Sequence, residues 1–296
     1  MFAIIGLLIV LGAVVGGYLM EGGHLGVLIQ PAELIIIGGA AAGTVFIANP
    51  MYVLKGISKG LSGVFKPSPF TREFYIANLQ MCYEILDKAR KQGLIALETD
   101  AEEPEKSEIF SKYPNFLKDH HSRDFLCDTL RMVLSGNVDP FDLDQLIEGD
   151  MDTSHRESEK PISALSTAAD SLPGLGIVAA VLGVVITMGS LGGPPEEIGH
   201  KVAAALVGTF LGILLCYGFV GPLAQNMSKT AEEEHSYLNV MRTIMLAFLK
   251  GNAPILALEY GRRVIPHRIR PTFGEMEKFV KKGGAPAQAQ AQAPSA

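Results

Sequence analysis

Charge is missing from four long stretches of this 296-residue chain: Phe2 to Leu19, Leu34 to Ala48, Leu172 to Leu191 and Val202 to Ala224. The 48% hydrophobic content is concentrated in the two tracts that hold them and is sparse between, which separates the chain from an ordinary soluble domain. About 18 apolar residues suffice to cross roughly 30 Å of hydrocarbon as a helix. The first stretch is therefore read as a span. The second is shorter and takes Pro31 into its first turn, where a missing N–H costs nothing. The last two form a helical hairpin around Gly192-Gly193-Pro194-Pro195-Glu196-Glu197.

Other absences narrow the class. The 3 cysteines, Cys82, Cys127 and Cys216, are odd in number and form no CxxC pair, which points to reduced thiols. The 7 histidines form no ligand or nucleophile constellation, so no catalytic residue, metal site or cofactor is expected and the chain is read as non-enzymatic. The acidic middle and mildly basic C-terminal part do not suggest nucleic acid. The first span lacks a basic n-region and an obvious small-x-small cleavage site, so it is kept as mature structure. No Asp, Glu, Lys, Arg or His lies inside any span; Glu33 and Asp170 fall at ends, and the deep polar groups are the hydroxyls of Thr44, Thr187, Thr209 and Tyr217. Proton and cation pathways generally need an ionisable group at depth, so in an ion-driven machine another subunit would have to supply it.

What is present sets an all-α integral membrane protein: four transmembrane helices with a helical cytoplasmic domain. Lys55, Lys59 and Lys66 follow the second span and Lys229, Arg242 and Lys250 the fourth, whereas the turns after the first and third hold no Lys or Arg before Lys201. Both termini are then cytoplasmic. The expected order is spans one and two in 1–49, a cytoplasmic helical block in 50–170, spans three and four in 171–224, a helical stalk and tail in 225–282, and a disordered Ala/Gln-rich tail in 283–296. Within the block, Phe74, Ala77, Met81, Cys82, Ile85, Leu86 and Ala89 recur at helical spacing up to Gly93. A second helix is expected from about Pro114 to Ser135, with Gly136 as its stop, and a third opens at Asp139-Pro140. The absence of Gly and Pro from Leu223 to Lys250 predicts that the fourth span continues as a stalk, and Thr272 with Glu275 has the form of a capping box.

Some residues admit two readings on physical grounds alone. The GxxxG spacings Gly12/Gly16, Gly39/Gly43 and Gly208/Gly212 suit packing within the chain or between copies. Pro173 is an N1 proline of the third span or a hinge, and Pro222 a helix-end kink or a hinge. Arg90 and Glu98, on either side of Gly93 at the end of an amphipathic helix, read on these grounds as a solvated polar face.

Val14-Val15-Gly16-Gly17-Tyr18-Leu19-Met20, Gln30-Pro31-Ala32-Glu33-Leu34, Glu108-Ile109-Phe110-Ser111-Lys112-Tyr113-Pro114, Asp170-Ser171-Leu172-Pro173 and Val207-Gly208-Thr209-Phe210-Leu211-Gly212-Ile213-Leu214-Leu215 resemble the MotA/PomA family of flagellar motor stator subunits, within the MotA/TolQ/ExbB superfamily. The resemblance covers the chain from Met1 to about Val280. It implies a multi-pass subunit of the bacterial inner membrane, in contact with lipid, in a homo-oligomeric ring, a pentamer around a dimer of the partner MotB. That partner supplies the ion-carrying aspartate and the peptidoglycan anchor. By the same resemblance Arg90 and Glu98 engage the rotor protein FliG, with Asp150 as a further rotor-facing charge, and Pro173 and Pro222 act in torque generation. Thr209 lines the ion path, with Phe210 and Tyr217 on the same helix. Ala180 stands where sodium-driven relatives carry threonine, and a methyl offers no oxygen to a dehydrated Na⁺, which favours H⁺. The alternatives are an ExbB/TolQ-like energiser of the outer membrane, whose three-span layout differs, and a self-sufficient transporter, which would need pathway groups of its own.

Overall fold

The computed structural model describes residues 2–136, 138–189 and 192–282; the last two residues of the expected third span and the Ala/Gln tail lie outside the described residues. Every regular element among the described residues is helical. Two compact units form: one from the described residues up to Pro67 together with Arg156–Ala231, the other from Ser68–His155 together with the described residues from Glu232 onward.

The first unit is apolar. It opens with α1 (Phe2–Met20), a single turn at Leu25–Leu28, and α2 (Pro31–Ala48) with Pro31 in its first turn, then α3 (Met51–Val64). No residue of α1 is buried, and Leu8, Ile9, Ile35 and Phe46 are among many large apolar side chains left exposed. Water would penalise such a surface, whereas hydrocarbon or another copy of the chain would not. Among the described residues, four helices are long and apolar enough to cross a membrane, as expected.

The second unit has a conventional core. In α4 (Arg72–Gln92) Thr71 caps the start by accepting from the Phe74 N–H at 3.3 Å, and Gly93, at φ +86°, ends the helix in a conformation that L side chains rarely adopt. Its buried face, Tyr75, Met81, Ile85 and Leu86, joins Phe110, Leu126, Leu143, Met151 and Tyr237 in one cluster, each large side chain contributing about 1.5–3 kcal/mol relative to exposure. The Tyr237 hydroxyl donates to Asn78 Oδ1 at 2.5 Å, so the phenol is buried with its polar end satisfied.

The helix expected from Pro114 to Ser135 is two. Pro114–Lys118 stops at Asp119, whose carboxylate accepts from the Ser122 hydroxyl at 2.6 Å and caps α5 (His120–Leu134). An Asp competes with its own helix for local backbone donors, and here that competition breaks the rod. Gly136 follows α5 at φ +84°.

The structure corrects the N1 reading of Pro173. Asp139 accepts from the Phe141 N–H at 2.8 Å and starts α6, a single helix Pro140–Met188 that passes through both Pro161 and Pro173. The fourth span likewise belongs to one long rod, α7 (Pro195–Leu249), so Glu196 and Glu197 form its first turn rather than the preceding loop, where carboxylates complement the helix dipole. Its interior turns π-helical over Leu215–Val220, immediately before Pro222. There the Gly221 N–H donates to the Cys216 carbonyl, five residues back, and that extra residue accommodates a proline that would otherwise collide with the turn before it. Pro222 therefore lies within a continuous helix, not at a helix end.

α8 (Pro254–Val264) and α9 (Phe273–Lys282) complete the second unit. The capping box forms reciprocally: the Thr272 N–H donates to Glu275 Oε2 at 2.8 Å and the Glu275 N–H to Thr272 Oγ1 at 3.3 Å.

Candidate functional site

Two of the expected ion-path residues, Ala180 and Thr209, lie where α6 and α7 touch through glycine. A Cβ on Gly176 would lie 2.8 Å from the Gly208 carbonyl oxygen and 3.3 Å from Thr209 Cα, and one on Gly208 would lie 3.2 Å from the Ala180 nitrogen. Backbones this close exclude side chains from the seam, so Ala180 and Thr209 are held at a common level at its edge, each partly exposed. Phe210 follows Thr209 and is also partly exposed. Thr187, 1% exposed, donates to the Gly183 carbonyl at 2.8 Å and is thereby satisfied within its own helix.

Tyr217 lies further along the same helix. It lies eight residues beyond Thr209, about 12 Å of helix, and is 73% exposed. With Pro222 it borders a groove of ≈ 320 Å³ shared with Phe2, Leu7 and Val10.

The GxxxG pairs separate into two kinds. Gly208 and Gly212 pack within the chain, whereas a Cβ on Gly12, Gly16, Gly39 or Gly43 would meet nothing within 4 Å.

In the second unit Arg90 ends α4 and Glu98 begins the short helix Glu98–Glu102, and both are exposed with no ion pair among the described residues. The loop that carries Glu98 is firmly tied. Lys88 Nζ lies 2.6 Å from Asp100 Oδ2, Asp100 is 1% exposed, and the Ser107 hydroxyl donates to the other carboxylate oxygen. Ser107 Oγ in turn accepts from the Ile109 and Phe110 N–H groups at 3.2 and 3.1 Å. Glu84 holds the far end through Lys112 at 2.7 Å and the Tyr113 hydroxyl at 2.9 Å. Two free charges of opposite sign are thus presented on a rigid turn. Asp150 is exposed on α6, outside that turn.

Residues 4–93 match the pattern described as Motility protein A N-terminal, and residues 117–240 match the MotA/TolQ/ExbB proton channel family. Motility protein A of Salmonella typhimurium is 42% identical over 98% of this chain and 98% of its own length. The chain belongs to the motility protein A family. Chemotaxis protein LafT of Vibrio parahaemolyticus is 38% identical over 93% of this chain and 97% of its own. Among solved structures, C. jejuni MotAB matches with a TM-score of 0.74 at 20% identity, covering 90% of this chain and 95% of that one. The flagellar MotAB stator complex from Bacillus subtilis matches at 0.73 and 24%, covering 90% and 97%. At those identities the two structures establish the fold.

Two features of this motility protein A relative were not visible in the sequence. His121, one of the histidines read as forming no constellation, bridges Glu234 at 2.7 Å and Ser154 at 2.8 Å, and the hydrogen bond to Glu234 raises its pKa. Glu33, read as a span-end residue, is 7% exposed and lies against Gly208. In both cases the partner comes from more than 30 residues away, where local patterning carries no signal.

Proposed function

We propose that the chain is the ion-channel subunit of a bacterial flagellar stator, coupling proton flow through a complex with a MotB-type partner to torque on the rotor protein FliG. The observation that carries this reading is the 42% identity to Motility protein A along 98% of the chain. An ExbB/TolQ-like role is disfavoured because the Motility protein A N-terminal pattern occupies residues 4–93, which hold the first two spans. In this reading the apolar unit sits in the inner membrane, the second unit and both termini face the cytoplasm, and the ring is a pentamer around a MotB dimer. The uncovered α1 and the open glycine faces of α1 and α2 support contacts with lipid and with neighbouring copies.

The proton, rather than Na⁺, is the coupling ion because Ala180 offers no side-chain oxygen beside Thr209 and a dehydrated Na⁺ needs several oxygen ligands. Arg90 and Glu98, with Asp150 as a separate charge, face FliG; Pro173 and Pro222 are points where two long helices yield under load, Pro222 aided by the π segment before it.

In a flagellated host lacking the chain, wild type should restore swimming. Arg90→Glu and Glu98→Lys should each reduce it severely at unchanged membrane abundance, since exposed charges act by steering and not by folding. Rescue by opposite changes on FliG would support direct contact. Full motility of the double reversal would refute the rotor assignment, and failure of wild type to restore swimming would refute the stator reading.

A further inference from the structure

The carboxyl group of Glu33 is the buried acidic group that the stator reading leaves without a task. It stands in the first turn of α2, 7% exposed, with Oε2 buried and without a hydrogen-bond partner among the described residues. A Cβ on Gly208 would lie 2.7 Å from that oxygen, 3.1 Å from Ala179 Cβ and 3.2 Å from the Ala180 nitrogen, so a glycine is what leaves room for the carboxyl. Glu33 begins its own span, yet its carboxyl lies beside the middle of the other two. Ala180 is eight residues beyond Leu172, about 12 Å along α6, and Gly208 is thirteen residues beyond Pro195, about 20 Å along α7. The arrangement follows from the packing of both α2 and the Leu25–Leu28 turn against the Pro195–Leu214 part of α7.

The charged groups of the surrounding elements stand apart from this level. Asp170 is exposed one turn before Gly174 on α6, and Glu196, Glu197, His200 and Lys201 occupy the beginning of α7, where Lys201 pairs with Glu197 at 2.9 Å. Glu21 and His24 lie in the turn after α1. Beside Gly208 lie Ala179 and the Ala180 nitrogen, with Thr209 the next residue along α7. A carboxylate with an unfilled oxygen is costly in such a place, a carboxylic acid much less so, and the difference makes the group responsive to a proton arriving beside it.

We propose that Glu33 is a proton-binding site of this subunit, beside Ala180 and Thr209. The carboxylate takes a proton from hydronium, leaving water, and returns it to water in the path as the carboxyl ionises again. Its use in rotation rests on the stator reading; its titration does not.

The test has two arms. With the full-length chain in lipid bilayers, infrared difference spectra between acid and alkaline pH should show a carboxylic C=O band that is missing in Glu33→Gln. In cells, Glu33→Gln should reach the membrane at wild-type abundance but turn the motor several-fold more slowly at low load, where ion transit limits speed. Glu33→Asp, which keeps the acid, should recover part of the speed with a shifted pH dependence; a group that only fills space would be replaced without loss by glutamine. A spectrum with no titrating Glu33 band, or a Glu33→Gln motor as fast as wild type, overturns the proposal. If wild type itself fails to drive rotation, the stator reading falls while the infrared arm still decides whether Glu33 titrates.

Discussion

A Gly212→Val variant should fail to accumulate as folded protein in the membrane. A Cβ at that position would lie 2.5 Å from the Leu172 carbonyl oxygen and 2.9 Å from Gly176 Cα, both backbone atoms that no rotamer change can move. Ordinary overpacking costs about 1–3 kcal/mol because side chains yield. Here α6 and α7 would have to part along the whole seam through Gly176, Ala179, Gly183 and Ala205, losing close contacts that stand in for hydrophobic burial inside a bilayer. Membrane abundance and protease resistance of Gly212→Val should fall to the level of an unfolded control. Gly12→Val is the comparison: nothing lies within 4 Å of its Cβ in the chain, so the variant should accumulate normally, and any defect in it would report contacts between copies. Normal accumulation and motility of Gly212→Val would mean that the seam is not packed as described.

The second large effect is expected at Asp100. Its carboxylate is almost fully buried and serves both Lys88 and Ser107, so Asp100→Ala leaves a partly buried ammonium and a buried hydroxyl without their acceptor. Removing one member of a buried pair costs about 3–5 kcal/mol, and the partial exposure of Lys88 places this case near the lower end. The loss should be local. Hydrogen exchange should accelerate across residues 94–113, and swimming should fall as it does when Arg90 or Glu98 is reversed, because the turn that presents Glu98 would no longer be fixed. Lys91→Ala removes an exposed pair with Asp87 on the same helix and should leave exchange in this segment unchanged. Equal protection in Asp100→Ala and wild type would show that the loop is held by other contacts.

The legible part of the fold was the part written in local pattern. Uncharged length marked α1 to within one residue and α2 to within three, Pro31 and Gly93 marked a start and a stop, and Thr272 with Glu275 marked a capping box that forms atom for atom. The less legible part depends on competition between local rules and the rest of the molecule. Proline at 173 argues for a helix start by propensity, but α6 passes through it, since packing in a long rod outweighs one missing hydrogen bond. Asp119 does the reverse and interrupts an apolar pattern that otherwise reads as continuous. For the site, residue type and resemblance named Ala180 and Thr209, which the structure places at one level, and Tyr217, which borders a separate groove; Asp150 stands on α6, a different element from those of Arg90 and Glu98. Glu33 was out of reach because its neighbour Gly208 is 175 positions away along the chain.

Rotation of tethered cells tests the central claim most directly. In a strain lacking the chain, inducing its expression should raise rotation speed in discrete, roughly equal increments as stator units join the motor. A protonophore should stop that rotation, and replacing external Na⁺ with K⁺ at constant proton-motive force should leave it unchanged. Cells that stay still after induction, with the protein present in the membrane and its partner expressed, would contradict the stator account; rotation that follows external Na⁺ would contradict proton coupling.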